Sequence, residues 1–210
     1  MNNFIRIAIP PFFLLILFVL CSPADAQIIN YGLKGGVNFS SMANSNYRTG
    51  YNTGYHFSFF VNYRMRRIPV SIQPEMYYTR LGTKYDEVMF DFGEPRAAEL
   101  DIDYLQIPVI VKIPIPVPGP VHPNLFAGPY AGFVMGTRLV RQGAPGYSIN
   151  QWVNDNDFGI VFGLGADIPL IFGALLLELR MTYGLENFYQ EFFEYQDRNR
   201  AISISTGFSF

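Results

Sequence analysis

Strict alternation of side-chain character is the feature that most limits what this chain can fold into. From Arg200 to Phe210, Ile202, Ile204, Thr206, Phe208 and Phe210 fall on one side, and Ala201, Ser203, Ser205, Gly207 and Ser209 fall on the other. A period of two is the signature of a β-strand with two unlike faces, whereas a surface helix repeats its apolar residues every three or four positions. The same signature recurs upstream. Tyr31, Leu33, Val37 and Phe39 oppose Gly32, Lys34, Gly36, Asn38 and Ser40. Tyr55, Phe57, Phe59, Val61, Tyr63 and Met65 oppose His56, Ser58, Phe60, Asn62 and Arg64, and Val70, Ile72, Pro74, Met76 and Tyr78 oppose Ser71, Gln73, Glu75, Tyr77 and Thr79. Leu105 to Ile113, Phe158 to Ile168 and Leu175 to Leu185 repeat it. Pro74 fits poorly in a central strand, because it has no N–H to give to the ladder. In 124–136 small and large residues mix on both sides, so the pattern does not fix its facing.

The spacing predicts about eight strands, at 30–40, 54–66, 70–82, 99–113, 124–136, 157–168, 174–186 and 200–210. Longer polar stretches at 41–53, 83–98, 137–156 and 187–199 alternate with turns marked by Pro or Gly at 67–69, 114–123 and 169–173. The five prolines of 114–123 read as a stiff connection, not as a recognition ligand. An even number of strands with long loops on one rim and short turns on the other is the layout of an all-β, eight-stranded antiparallel up-and-down transmembrane barrel. The last strand is expected to pair with the first.

Alternation alone also suits a soluble, lipocalin-like ligand binder. The content of the polar face separates the two. Charged residues make up only 15% of the chain, against about 25% in a typical soluble domain. The polar face is mostly Gly, Ser, Asn and Thr with a few charges of both signs, which suits the crowded interior of a small barrel. The opposite face is aliphatic and aromatic on strand after strand. In water it would form a very large apolar patch, and lipid is the solvent it matches. Tyr31, Tyr55, Tyr63, Tyr78 and Tyr183 near strand ends are expected in interfacial girdles.

Residues 1–26 read as a cleaved signal peptide: Arg6, an apolar run from Ile7 to Leu20, and the small-x-small site Ala24-Asp25-Ala26. The barrel domain is then 27–210. A lipoprotein acylated at Cys21 is the rival, but Leu20 is large where such signals take a small residue. Cys21 is the one cysteine, so cleavage leaves no thiol for a disulfide, a nucleophile or a metal. The expected location is the bacterial outer membrane, with 41–53, 83–98, 137–156 and 187–199 outside the cell. A net charge of −2 gives no field for gathering nucleic acid.

Several segments resemble those of a known family. They are Tyr31-Gly32-Leu33-Lys34-Gly35-Gly36-Val37-Asn38, Gln73-Pro74-Glu75-Met76-Tyr77-Tyr78, Asp103-Tyr104-Leu105-Gln106-Ile107-Pro108-Val109, Gly163-Leu164-Gly165-Ala166-Asp167 and Leu177-Glu178-Leu179-Arg180-Met181-Thr182-Tyr183-Gly184-Leu185. The resemblance is to the outer membrane protein beta-barrel domain family, common in Bacteroidetes and often labelled PorT-like. It implies an architecture similar to the small adhesin and OmpA/OmpX-type barrels. PorT itself is tied to the type IX secretion system, so an accessory role in secretion is a further implied expectation. The shared segments are strand patterns and specify fold more than function.

Two constellations carry candidate chemistry. Lys34, Arg64, Glu75, Lys112, Glu178 and Arg180 share the inward parity. They are expected to pair as a network filling the lumen, since an eight-stranded interior is only wide enough for side chains, and no open pore is expected. An ion path is the alternative. His56 and Ser58 share a face, with Glu75 on the next strand. A His-x-Ser pair of this kind resembles that of outer-membrane lipid A deacylases, with His as base and Ser as nucleophile. The lumen parity of the pair opposes that reading, because such a substrate lies on the lipid side. The mature chain keeps two histidines, His56 and His122, far apart, so neither a metal nor a cofactor is expected. The aromatic, acidic run Asn187 to Tyr195 reads either as a protein- or glycan-binding tip or as a strand extension with interfacial aromatics. The sequence thus predicts a non-enzymatic barrel that binds a partner at its outer loops or serves an envelope assembly, with a lipid-modifying hydrolase and a periplasmic ligand binder as alternatives.

Overall fold

The computed structural model describes residues 28–43, 49–88, 96–141, 146, 148, 154–186 and 198–210. The expected signal peptide, the Cys21 question and the run Asn187 to Tyr195 lie outside them. Eight strands follow one another: β1 (Ile28–Ala43), β2 (Thr49–Arg64), β3 (Ser71–Val88), β4 (Arg96–Pro114), β5 (His122–Arg141), β6 (Asn156–Leu170), β7 (Gly173–Gly184) and β8 (Arg198–Ser209). Each pairs antiparallel with the next, and β8 returns to β1 to close the barrel, with Leu33 opposite Phe208 and Asn38 opposite Ser203. Closure leaves no strand edge to be satisfied by lipid, which cannot hydrogen-bond.

The expected facings hold along β1, β3, β4, β6, β7 and β8. Leu33, Phe57, Met76, Val111, Leu164, Leu179 and Ile204 are exposed on the outside, while Lys34, Ser58, Glu75, Lys112, Glu178 and Ser205 are buried in the lumen. β5 resolves into two phases. Asn124, Phe126 and Tyr130 point in. The pairing to β4 then slips by one residue, from Tyr104 opposite Val134 to Asp103 opposite Gly136, and beyond the slip it is Thr137 that points in. A β-bulge absorbs one residue and flips the parity of all that follows. No single two-residue phase fits 124–136 for that reason. Pro74 lies inside β3, paired with Val109 of β4, and the regular pairing to β2 skips Gln73 and Pro74.

Three of the expected loops shrink. Strand reaches Ala43 and starts again at Thr49, so the stretch 41–53 keeps only 44–48 as a connection; 83–98 keeps 89–95, and 137–156 keeps 142–155. In these stretches Asn52, Thr83 and Thr137 still point in, while Lys84 and Arg138 lie outside. Leu81, Ala98, Leu100, Ile102, Tyr104 and Ala201 form an apolar cluster inside the barrel, with Val134 and Leu139 packed against it. Outside at that level stand Lys84, Glu99, Asp101, Asp103 and Arg138. A polar exterior over an apolar interior is what a strand needs above the lipid.

The lower barrel is filled by pairing large side chains with glycine. A side chain at Gly159 would enter the Tyr130 ring at 2.4 Å, and one at Gly163 the Phe126 ring at 2.6 Å. Gly159 and Gly163 of β6 make the room that these rings of β5 occupy. Tyr55 and Tyr183 mark the upper margin of the outer apolar band and Tyr31 the lower, where it stacks on Phe210 at 5.7 Å between ring centres. Tyr63 departs from the expected girdle in being largely covered, at 9% exposure.

Candidate functional site

Five of the six inward charges meet. β1 supplies Lys34, β3 Glu75, β4 Lys112, and β7 both Glu178 and Arg180, two residues apart and therefore on the same side of the strand. The Lys34 Nζ donates to Glu75 Oε1 at 2.5 Å and to both Glu178 oxygens at 2.9 and 3.0 Å. Arg180 Nη2 donates to Glu75 Oε2 at 2.8 Å and to Glu178 Oε2 at 3.4 Å. Lys112 stands 4.0 Å from Glu178 and 3.5 Å from Asp167 of β6. Glu75 and Lys112, on adjacent strands, are therefore not each other's partners: Glu75 is taken by Lys34 and Arg180. Arg64 is outside the network. It has the inward parity, but it is the last residue of β2 and its side chain is exposed.

The network is charge-balanced. Lys34, Lys112 and Arg180 face Glu75, Glu178 and Asp167. Balance is required at this depth, because an unpaired charge buried in the lumen of a membrane barrel loses several kcal/mol of hydration with nothing in return. Neutral side chains complete it. Gln73 Nε2 donates to Glu75 Oε1 at 2.6 Å, and Asn62 Nδ2 donates to Gln73 Oε1 at 3.0 Å. The Arg180 guanidinium lies 4.7 Å from the centre of the Tyr77 ring and 5.6 Å from that of Phe126, and Lys34 Nζ lies 5.2 Å from that of Phe60. On the β4–β6 wall the lumen is apolar, with Ile110, Phe126, Tyr130 and Val161 packed together. At this level ions and rings line the lumen together.

The sequence missed Asp167, Gln73 and Asn62 as members of this network. The signal was present: all three have the inward parity, and an inward set of four cations against two acids was short of acid.

His56 and Ser58 are both buried in the lumen, as their parity requires. His56 Nε2 lies 2.8 Å from Ser205 Oγ of β8, and the imidazole stacks on Tyr77 with ring centres 5.0 Å apart. Glu75, the third member of the supposed triad, is bound to Lys34, Arg180 and Gln73. His56 and Glu75 therefore have their hydrogen-bond partners elsewhere than in each other. Higher up, Asp157 Oδ2 accepts from the Tyr130 hydroxyl at 2.9 Å and from Asn199 Nδ2 at 3.4 Å, and Asn199 also donates to the Tyr104 hydroxyl at 2.8 Å. This second polar knot ties β4, β5, β6 and β8 together and joins the upper apolar cluster through Tyr104. Among the described residues no cluster of His, Cys, Asp or Glu has the makings of a metal site.

The sequence profile of the outer membrane protein beta-barrel domain family matches residues 25–190. No curated protein matches the chain in sequence. Among solved structures the chain is similar to Neisserial surface protein A (NspA), at 14% identity and a TM-score of 0.52, over 89% of this chain and 100% of that one. It is also similar to Ail, the attachment invasion locus protein of Yersinia pestis, at 12% identity and a TM-score of 0.47, over 86% of this chain and 98% of that one.

Proposed function

The chain belongs to the outer membrane protein beta-barrel domain family and resides in the bacterial outer membrane, and from that premise we propose that it is a non-enzymatic, closed display barrel. Short turns face the periplasm and the long connections face outward. Its outer end binds a protein or glycan partner, or docks it into an envelope assembly of the PorT-like, type IX secretion kind. The observation that carries this reading is the upper barrel. Strands β2 to β5 continue past the apolar band and are stiffened there by the Leu81–Leu100–Ile102 core. A barrel serving only as a membrane plug has no need of a second core above the lipid. A barrel that holds loops clear of the surface does, because binding residues are best placed on a rigid scaffold.

The test is a pull-down of the tagged protein from native outer membranes in mild detergent. Stoichiometric recovery of secretion-machine components supports the assembly role. Recovery of the barrel alone removes that role and moves the weight to the outer loops. The hydrolase alternative is tested by Ser58→Ala: unchanged lipid A masses in the variant strain dispose of it, and that is the expected result given the Ser205 partnership of His56.

A further inference from the structure

A cavity of about 720 Å³ occupies the lumen at the short-turn end. The β2–β3 turn, residues 65–70, leans across its mouth, held by Met65 N–H donating to Val70 O at 3.0 Å and Val70 N–H donating to Ile68 O at 2.7 Å. This turn brings Arg66 and Arg67 to the cavity beside Arg64, and all three side chains are exposed. Lys112 reaches it from the floor. The one acid in the lining, Asp167, is already engaged by Lys112 at 3.5 Å and by Asn124 Nδ2 at 3.2 Å. None of the ion pairs among the described residues includes Arg64, Arg66 or Arg67.

The lumen charges cancel three against three, so these arginines are a surplus that no ion pair among the described residues neutralises. The volume is that of a small-ligand site, for which about 300–1,000 Å³ is usual. Each guanidinium offers five N–H donors in a planar fork that fits oxyanions. Three such forks within four residues exceed what one carboxylate can use. A phosphate group, with three acceptor oxygens and close to two charges, matches them better.

We propose that this vestibule binds a phosphate-bearing ligand, gripped by Arg64, Arg66 and Arg67. The phosphate comes either from a soluble phosphate ester or from the headgroup of an inner-leaflet phospholipid lying against the rim. Assigning the site to the periplasm rests on the orientation given above; binding by the purified protein does not depend on it, so the two fail separately.

The test uses the whole protein in two settings. Pyrophosphate is titrated calorimetrically into the barrel in a neutral maltoside detergent, and phosphatidylglycerol retention is read by native mass spectrometry from nanodiscs. Both are repeated with the combined variant Arg64→Gln, Arg66→Gln, Arg67→Gln and with Arg138→Gln at the opposite end as control. Heat-modifiable migration on gels verifies that each variant is folded. The expected result is binding of at least one probe that weakens about tenfold or more in the triple variant, is unchanged in the control, and weakens with added salt. Pyrophosphate binding assigns the soluble source, and lipid retention without pyrophosphate binding assigns the headgroup. Binding of neither probe, or equal binding by the triple variant, overturns the proposal.

Discussion

The barrel is built twice, in opposite senses. In its lower part, level with the lipid, ions and amides lie inside and Leu, Ile, Val and Phe lie outside. In its upper part Leu81, Leu100 and Ile102 lie inside, and Lys84, Glu99, Asp101 and Arg138 lie outside. The same strands run through both; β4 carries Lys112 inward at one end and Leu100 inward at the other. What changes is the solvent. In lipid the outer surface must be apolar, and the polar groups that remain are satisfied only by one another within the lumen. In water the ordinary rule returns, and burial of apolar area stabilises the interior. Inside and outside are therefore not properties of a strand but of a strand at a given height.

Substitutions at the two heights test this contrast, and the largest effect belongs below. Glu178→Ala leaves Lys34 without one of its two carboxylates and leaves Lys112 and Arg180 with one fewer, all of them buried. A loss of about 3–5 kcal/mol is expected in urea titrations of the barrel in bilayers; a loss below about 1 kcal/mol would show that water reaches the network. In the upper core, Leu100→Ala should cost about 2–5 kcal/mol by the same assay, because Leu100 is 1% exposed and no polar group is left behind. On the outer face, Leu179→Arg places a charge in hydrocarbon and should cost about 2–4 kcal/mol. Arg138→Leu, the reverse exchange above the band, should change stability by no more than about 0.5 kcal/mol. Equal costs at positions 179 and 138 would mean that the lipid boundary lies elsewhere. A small effect is likewise expected for Asp103→Asn. The pair that Arg80 makes with it, at 2.7 and 2.9 Å, is partly open to solvent, so less than about 1 kcal/mol should be lost.

This difference in solvent also explains what could be read from the sequence. Where lipid meets the barrel, the contrast between the faces is at its strongest, and Ile202 to Phe210 or Leu175 to Leu185 can be placed by eye. The strand number, their order and the inward set Lys34, Glu75, Lys112, Glu178 and Arg180 follow from that contrast. Above the lipid the contrast weakens, so Thr49 to Thr53 and Arg96 to Ala98 pass for loop although they extend strands. In β5 the bulge near Met135 shifts the phase, and a window spanning it averages to nothing. Arg64 shows the limit of parity: it fixes which way a residue faces, not how deep it lies. The partnership of His56 with Ser205 was hidden for another reason. It joins residues 149 apart in sequence, which only the closure of the barrel brings together.

The charge network has a consequence for the order in which the molecule is made. Lys34 lies on the first strand and Glu178 on the seventh, 144 residues apart, and β1 meets β7 only across β8. Until the β1–β8 seam is zipped, the lysine has only Glu75, and Glu178 of the seventh strand lacks the lysine as a partner. The ion cluster is therefore a latch rather than a nucleus: it forms late, adds little to the speed of folding, and must be undone before the seam can part. Its contribution should fall mainly on the rate of unfolding. A barrel fastened in this way owes its persistence in the membrane to slow opening as much as to depth of free energy.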